Sequence, residues 1–179
     1  METSINDKSN LILVRHGQSI YNLENRFTGW KDVPLTEQGI TEAKNAGKLI
    51  KKNNIVFDKI FSSVLERANK TAEIAIKQTD MQNLFENDKL IYVRDPSLNE
   101  RDYGDLVGLN KAETANKFGK KQVQIWRRSY DTPPPNGESL KDVVNRVSPY
   151  FVDHIQPLLQ QGKNLLIAAH GNSLRAIMI

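Results

Sequence analysis

There is no cysteine anywhere in the 179-residue chain, which removes disulfides, thiolate metal sites and cysteine nucleophiles from consideration. Histidines number three, too few for a histidine-rich zinc site, so no metal is expected. No apolar run approaches the ~20 residues that a bilayer-spanning helix needs. The first ten residues, Met1 to Asn10, are polar and lack the apolar stretch of a secretory signal. A concentrated basic stripe with interleaved aromatics is missing too. Lysines are scattered among Glu and Asp at a net charge of only +4, the pattern of a solvated surface rather than a nucleic-acid interface. Neither nucleic acid nor a membrane is therefore expected as a partner, and the chain reads as a cytoplasmic protein with a loose amino terminus.

What is present is an ordinary globular composition, 39% hydrophobic and 26% charged, at a length that suits one domain with a sizeable core. Leu11 to Val14 is a short unbroken apolar run, the pattern of a strand buried on both faces, and it empties into Arg15-His16-Gly17. The same grammar returns at Asn164 to Ala169, which empties into His170-Gly171. Ligands of open α/β sheets bind where strands end. Two parallel strands with a histidine at the same end of each would bring both imidazoles to one pocket. Several arginines also fall at strand ends or in loops: Arg15, Arg26, Arg67, Arg101, Arg127 and Arg128. Gathered together they would bind phosphate or carboxylate, which the planar guanidinium fork suits.

Between these landmarks the pattern alternates strands and helices, which argues for a three-layer α/β/α sandwich with a mainly parallel sheet. Thr36 is placed to cap a helix to about Lys52 with an apolar face of Ile40, Ala43, Gly47 and Ile50. Val56 to Phe61 reads as a strand, and Ser63 with Glu66 has capping-box spacing before a helix to about Gln78. Lys89 to Val93 reads as a third strand. Asn110 with Glu113 caps a helix that Gly119 ends, and a second helical piece carries Trp126-Arg127-Arg128. Pro133 to Gly137 is a rigid loop, Ser139 caps the next helix, and Pro149 and Pro157 predict a kink or break in it. Leu174 to Ile179 is apolar and helix-like, with no stop signal after it.

A neutral imidazole can attack phosphorus when one ring nitrogen keeps a free lone pair and the other N–H is held by an acceptor. Neighbouring arginines disfavour the imidazolium form and bind the oxygens of the phosphoryl group in flight. His16 is the candidate nucleophile. His170 and the amides of Gly171 and Asn172 could stabilise the same oxygens. Glu100, between Asn99 and Arg101, is the best candidate to move the proton of the leaving oxygen; pairing with Arg101 is its other reading.

Leu13 to Ser19 with Tyr21-Asn22, then Arg26-Phe27-Thr28-Gly29-Trp30, resembles the histidine phosphatase superfamily. More narrowly, the chain resembles its cofactor-dependent phosphoglycerate mutases. That match rests on Leu35-Thr36-Glu37, Ser62 to Ala68, Leu98 to Gly104, Gly108 to Thr114, Trp126 to Arg128 and Ala168 to Arg175, in family order from Leu11 onward. The resemblance implies that His16 is phosphorylated, with Arg15, Arg67 and His170 around the phosphoryl group and Glu100 as proton donor and acceptor. It assigns substrate contacts to Arg15, Gly17, Gln18, Ser19, Asn22, Thr28, Gly29, Arg67, Glu100, Arg101, Asp102, Tyr103, Lys111, Arg127, Arg128, Gly171 and Asn172. Trp30 and Trp126 read as packing residues. Gln18 stands where these enzymes usually have Glu, and Asp102 replaces a common His. The short Arg128-to-Gly137 stretch is like that of the compact bacterial members.

The expected unit is one phosphoglycerate mutase-like domain over residues 1–179, short of the helix, strand and mobile tail with which the family continues. The implied activity is an isomerase's, interconverting 3-phosphoglycerate and 2-phosphoglycerate in glycolysis and gluconeogenesis, primed by 2,3-bisphosphoglycerate. The partners implied are small phosphoglycerates, and a homo-oligomer is left open. A phosphatase of the same superfamily, acting broadly or on bisphosphoglycerate, is the rival enzyme reading. An inactive sugar-phosphate-binding protein is the rival from another class.

Overall fold

The computed structural model describes residues 8–179; residues 1–7, on which most of the expected loose amino terminus falls, lie outside the described residues. In chain order the elements are β1 (Leu11–Arg15), the one-turn helix α1 (Ile20–Leu23), α2 (Glu37–Lys52), β2 (Lys59–Ser62) and α3 (Glu66–Lys77). Three two-residue strands follow: β3 (Phe85–Glu86), β4 (Lys89–Leu90) and β5 (Val93–Arg94). Then come α4 (Lys111–Phe118), α5 (Lys120–Arg128), α6 (Leu140–Tyr150), α7 (Gln156–Gln160), β6 (Leu165–Ala169) and α8 (Gly171–Ile177).

The main sheet has the order β1-β6-β2-β5, and every neighbouring pair is parallel. The alternation along β6 explains the three layers. Leu166 and Ala168 face a core closed by Ile50 of α2 and Ala72 and Ile76 of α3. Leu165, Ile167 and Ala169 face the opposite core, with Tyr150, Ile155 and Leu174. All five β6 residues are fully buried, and each large one contributes about 1.5–3 kcal/mol by leaving water. A third, smaller cluster of Phe27, Leu106 and Val123 builds the wall above the carboxyl ends of the strands.

Several local expectations need correction. Leu11 to Val14 is only partly buried, because β1 has a sheet neighbour on one side alone among the described residues. Ile40 is exposed at 36%, and Gly39 takes the inward place in the first turn of α2. The strand expected from Val56 begins at Lys59. The segment from Lys89 to Val93 divides: β4 turns back on β3 through Asn87 and Asp88, both at positive φ, while β5 joins the main sheet. That two-residue turn is the kind that closes a tight hairpin. Ser63 does not cap α3, whose N-cap is Leu65 without a side-chain bond. The expected break in the proline-marked helix is real. Between α6 and α7 lies a π-helical turn, Phe151–Ile155, closed by the Gln156 N–H on Phe151 O. It satisfies a backbone that prolines deprive of donors.

Candidate active site

Strands β1 and β6 pair in register, Arg15 opposite Ala169, so the next residue of each is a histidine at the same sheet edge. His16 N–H continues the ladder to Ala169 O at 3.1 Å. The two imidazole centroids are 5.1 Å apart. His16 is 8% exposed and His170 fully buried. His16 Nδ1 lies 2.6 Å from Gly17 O; a carbonyl only accepts, so Nδ1 carries the proton and Nε2 keeps the lone pair. Burial first, then the Arg67 and Arg15 charges, push the His16 pKa down to about 3, against a smaller opposing pull from Gly17 O. His170 is lowered as well, by burial and then by Arg67 and His16. Its Nε2 sits 2.7 Å from Ser63 Oγ, and its Nδ1 is buried without a partner among the described residues.

Around these rings lies a cleft lined by seven cationic side chains, Arg15, Arg26, Arg67, Lys111, Arg127, Arg128 and Arg175, and by a single carboxylate, Glu100. Of the seven, only Arg26 makes an ion pair among the described residues, with Glu24. Arg67 projects from the first turn of α3 and is held by Gly29 O at 2.8 Å and Lys31 O at 3.0 Å. Its Nε is buried with no partner among the described residues, and burial lowers its pKa to about 10. Lys111 at the start of α4 is lowered by burial and then by Arg127 and Arg15. Cations that depress one another's protonation and keep unspent donors form a receptor for a multiply charged anion. Glu100 Oε1 accepts from Arg101 N at 2.8 Å and Asn172 N at 3.2 Å. Its Oε2, which accepts no bond among the described residues, faces Gly171: a Cβ on that glycine would stand 3.9 Å from Oε2 and 3.9 Å from the Arg15 guanidinium carbon.

Of the residues singled out from sequence, the cleft gathers Arg15, His16, Asn22, Arg26, Thr28, Gly29, Arg67, Glu100, Tyr103, Lys111, Arg127, Arg128, Gly171 and Asn172. Others are elsewhere. His170 stands behind His16 rather than on the cleft surface. Gly17 permits a backbone crossing, since a Cβ there would lie 2.2 Å from Gly39 O. Gln18 lines a second groove against Arg15 and His16, with Gln38 and Glu42. Ser19 is the buried N-cap of α1, in a capping box with Asn22. Arg101 is buried beneath the cleft, donating to Trp126 O and stacked on Tyr103 at 4.7 Å. Asp102 Oδ1 accepts from Gly104 N. Trp126 packs edge-on against Phe118. Trp30 does more than pack: it is 43% exposed, and its indole N–H donates to Glu100 O at 2.6 Å. Phe27 and Arg175 line the cleft without having been singled out as site residues. Arg175 could have been found from spacing, because three positions on from Asn172 is the same helix face. Among the described residues no group of three or more His, Cys, Asp or Glu is arranged to hold a metal, and no helix is long and apolar enough to cross a membrane.

Two neutral imidazoles at the carboxyl edge of a parallel sheet, with guanidinium groups around them and one carboxylate opposite, have the chemistry that phosphoryl transfer through a histidine requires. The chain belongs to the histidine phosphatase superfamily (branch 1), whose family model matches residues 11–179. Among curated relatives, the 2,3-bisphosphoglycerate-dependent phosphoglycerate mutase of Bartonella henselae is 54% identical over 169 residues, covering 94% of this chain and 79% of its own. The enzyme of the same name from Nitrobacter hamburgensis is 53% identical over the same shares. Among solved structures, the phosphoglycerate mutase of Bacillus anthracis superposes with a TM-score of 0.78 at 25% identity, over 96% of this chain and 80% of that one. A mycobacterial glucosyl-3-phosphoglycerate phosphatase in complex with VO3 gives 0.75 at 29% identity, over 94% and 79%.

Proposed function

We propose that the protein is a 2,3-bisphosphoglycerate-dependent phosphoglycerate mutase, interconverting 3-phosphoglycerate and 2-phosphoglycerate through a phosphorylated His16. The observation that carries the reading is the neutral, Nδ1-protonated His16 facing a cleft of seven cations and one carboxylate. Relatives more than half identical over nearly the whole chain carry the same name. The cluster of mutually repelling cations and the orphaned Arg67 Nε fit a ligand with two phosphates and a carboxylate. Bound 2,3-bisphosphoglycerate supplies the phosphoryl group that primes the site.

His16 Nε2 forms a bond to phosphorus as the ester P–O bond breaks, and Glu100 gives the departing oxygen its proton. In the reverse half-reaction Glu100 takes a proton from a glycerate hydroxyl as that oxygen bonds to phosphorus and the N–P bond breaks. Oε2 is the oxygen free for this transfer. Arg15 and Arg67 stabilise the equatorial oxygens, as do the amides at the start of α8, and buried His170 backs His16 at 5.1 Å between ring centroids. Arg127, Arg128 and Lys111 hold whichever anionic end lies away from His16, so the intermediate can turn over without leaving. Asn22, Thr28, Gly29 and Tyr103 shape the rest of the cleft.

The test is a paired assay on the full chain. Glu100→Gln should lower kcat for the mutase reaction by roughly 10²-fold or more with little change in KM, since the carboxyl acts only while a proton moves. 2,3-Bisphosphoglycerate should leave an acid-labile, base-stable adduct on His16. Ready hydrolysis of phosphate esters without any 2-phosphoglycerate formed from 3-phosphoglycerate would replace this reading with a phosphatase.

A further inference from the structure

Beneath Glu100 lies a group that none of the proposed chemistry uses. Arg146, in the middle of α6, sends Nη1 to Ser97 O at 2.7 Å and Asn99 O at 3.1 Å, and Nη2 to Glu100 O at 2.9 Å. The same guanidinium is gripped from the other side by Glu138, through Nε to Oε1 at 2.8 Å and Nη2 to Oε2 at 2.9 Å. Glu138 in turn reaches the far side of Glu100: its Oε2 accepts from Asp102 N at 2.8 Å, and its own N–H donates to Asp102 O at 2.7 Å. Trp30 closes the arrangement, donating to the same Glu100 carbonyl while its ring lies 5.6 Å from the Arg146 guanidinium carbon.

The proline-rich loop before Glu138 belongs to this support. Pro135 O accepts from Asp105 N at 2.9 Å, and Asn136 Nδ2 bonds the Asp105 carboxylate. Gly104 and Gly137 are required by closeness: a Cβ on Gly104 would stand 2.2 Å from Pro135 O, and one on Gly137 2.8 Å from Asp102 O. The Arg146–Glu138 pair is only about one-fifth exposed. It is therefore worth more than a surface ion pair, and each bond to a carbonyl is charge-assisted.

We propose that Arg146, locked by Glu138, is a positioning residue that fixes the Glu100 backbone so that Oε2 points at the oxygen being cleaved. Three carbonyls drawn to one guanidinium hold the 97–100 backbone, and with it the Cα from which the Glu100 side chain enters the cleft. A displacement near 1 Å at such a group costs about 10²-fold in rate. The effect of losing Arg146 therefore appears only in steps where Glu100 moves a proton.

The inference rests on Glu100 being the proton carrier, and the experiment separates the two. Full-length Arg146→Met, Arg146→Lys, Glu138→Gln and Glu100→Gln are compared on two esters. One is 3-phosphoglycerate in the mutase assay. The other is p-nitrophenyl phosphate, whose leaving group departs without needing a proton. Arg146→Met should lower mutase kcat roughly 10–10²-fold while single-turnover release of p-nitrophenolate falls less than about threefold. Arg146→Lys should recover little, because a point charge cannot span three carbonyls and a carboxylate. The milder Glu138→Gln, which leaves the Arg146 guanidinium in place, should lower mutase kcat selectively in the same way but by a smaller factor. Equal losses on both esters for Arg146→Met, while Glu100→Gln still discriminates between them, would reduce Arg146 to a structural residue. If Glu100→Gln itself fails to discriminate, the reading of Glu100 falls and this inference falls with it.

Discussion

His16 needs a free lone pair, and burial first, then the Arg67 and Arg15 charges, secure it by keeping the ring neutral. This has a consequence for stability. In the unfolded chain a histidine protonates near pH 6.5, whereas folded His16 does so only at about 3. Between those values the unfolded state holds the extra proton, so stability rises with pH and falls as the solution is acidified. The slope for one such group is about 1.4 kcal/mol per pH unit, and His170 adds to it in the same direction. Urea midpoints measured from pH 7 to 4 should therefore fall more steeply for the native protein than for His16→Asn. Parallel curves would show that His16 titrates normally. The two histidines were legible in the sequence because a strand followed by His-Gly is a local pattern. Arg146 and Glu138 were not, since their partners are backbone carbonyls and amides up to 49 positions away and nothing local marks them. Ser63 misled for a related reason: its hydroxyl, apparently spaced to cap α3, is taken by His170.

At the scale of elements, the site stays in place because α2 and α3 are pressed together under the sheet. Gly47 makes this contact, and a Cβ there would stand 2.1 Å from Ala75 O. In an exposed helix, Gly→Ala gains about 1 kcal/mol. At Gly47 the clash reverses the sign, and Gly47→Ala should destabilise by about 1–3 kcal/mol net, read by denaturant unfolding. A gain would mean that the two helices separate freely. Arg67 begins α3, so the same variant should also raise KM by shifting its guanidinium. Long elements with strong periodicity, such as α2, were readable almost to the residue, from the Thr36 cap to Lys52. The region from Phe85 to Arg94 was not. Its short strands are defined by which partner each finds, and the positive-φ pair Asn87-Asp88 was the one local sign of a hairpin there.

For the molecule as a whole, a net charge of +4 understates the field at the cleft, where seven cations face one carboxylate. Such a concave, one-signed site draws anionic substrate from solution, and salt weakens it. Raising ionic strength from about 0.01 to 0.15 M shortens the screening length from about 30 to 8 Å. KM for 3-phosphoglycerate should rise several-fold over that range with kcat nearly constant, and much less in Arg127→Ala/Arg128→Ala. An unchanged KM would mean that binding is set by contact alone. The sheet order carries a different kind of consequence. β1 has β6 as its one sheet neighbour among the described residues, and Leu11 pairs with Leu165, 154 positions on. β6 also separates β1 from β2. On a ribosome adding about 5–20 residues each second, Arg15 and His16 wait, once made, seconds to tens of seconds for the strand that completes them. No partial product can hold both imidazoles together. The two imidazoles meet in one event, when β6 takes its place between β1 and β2.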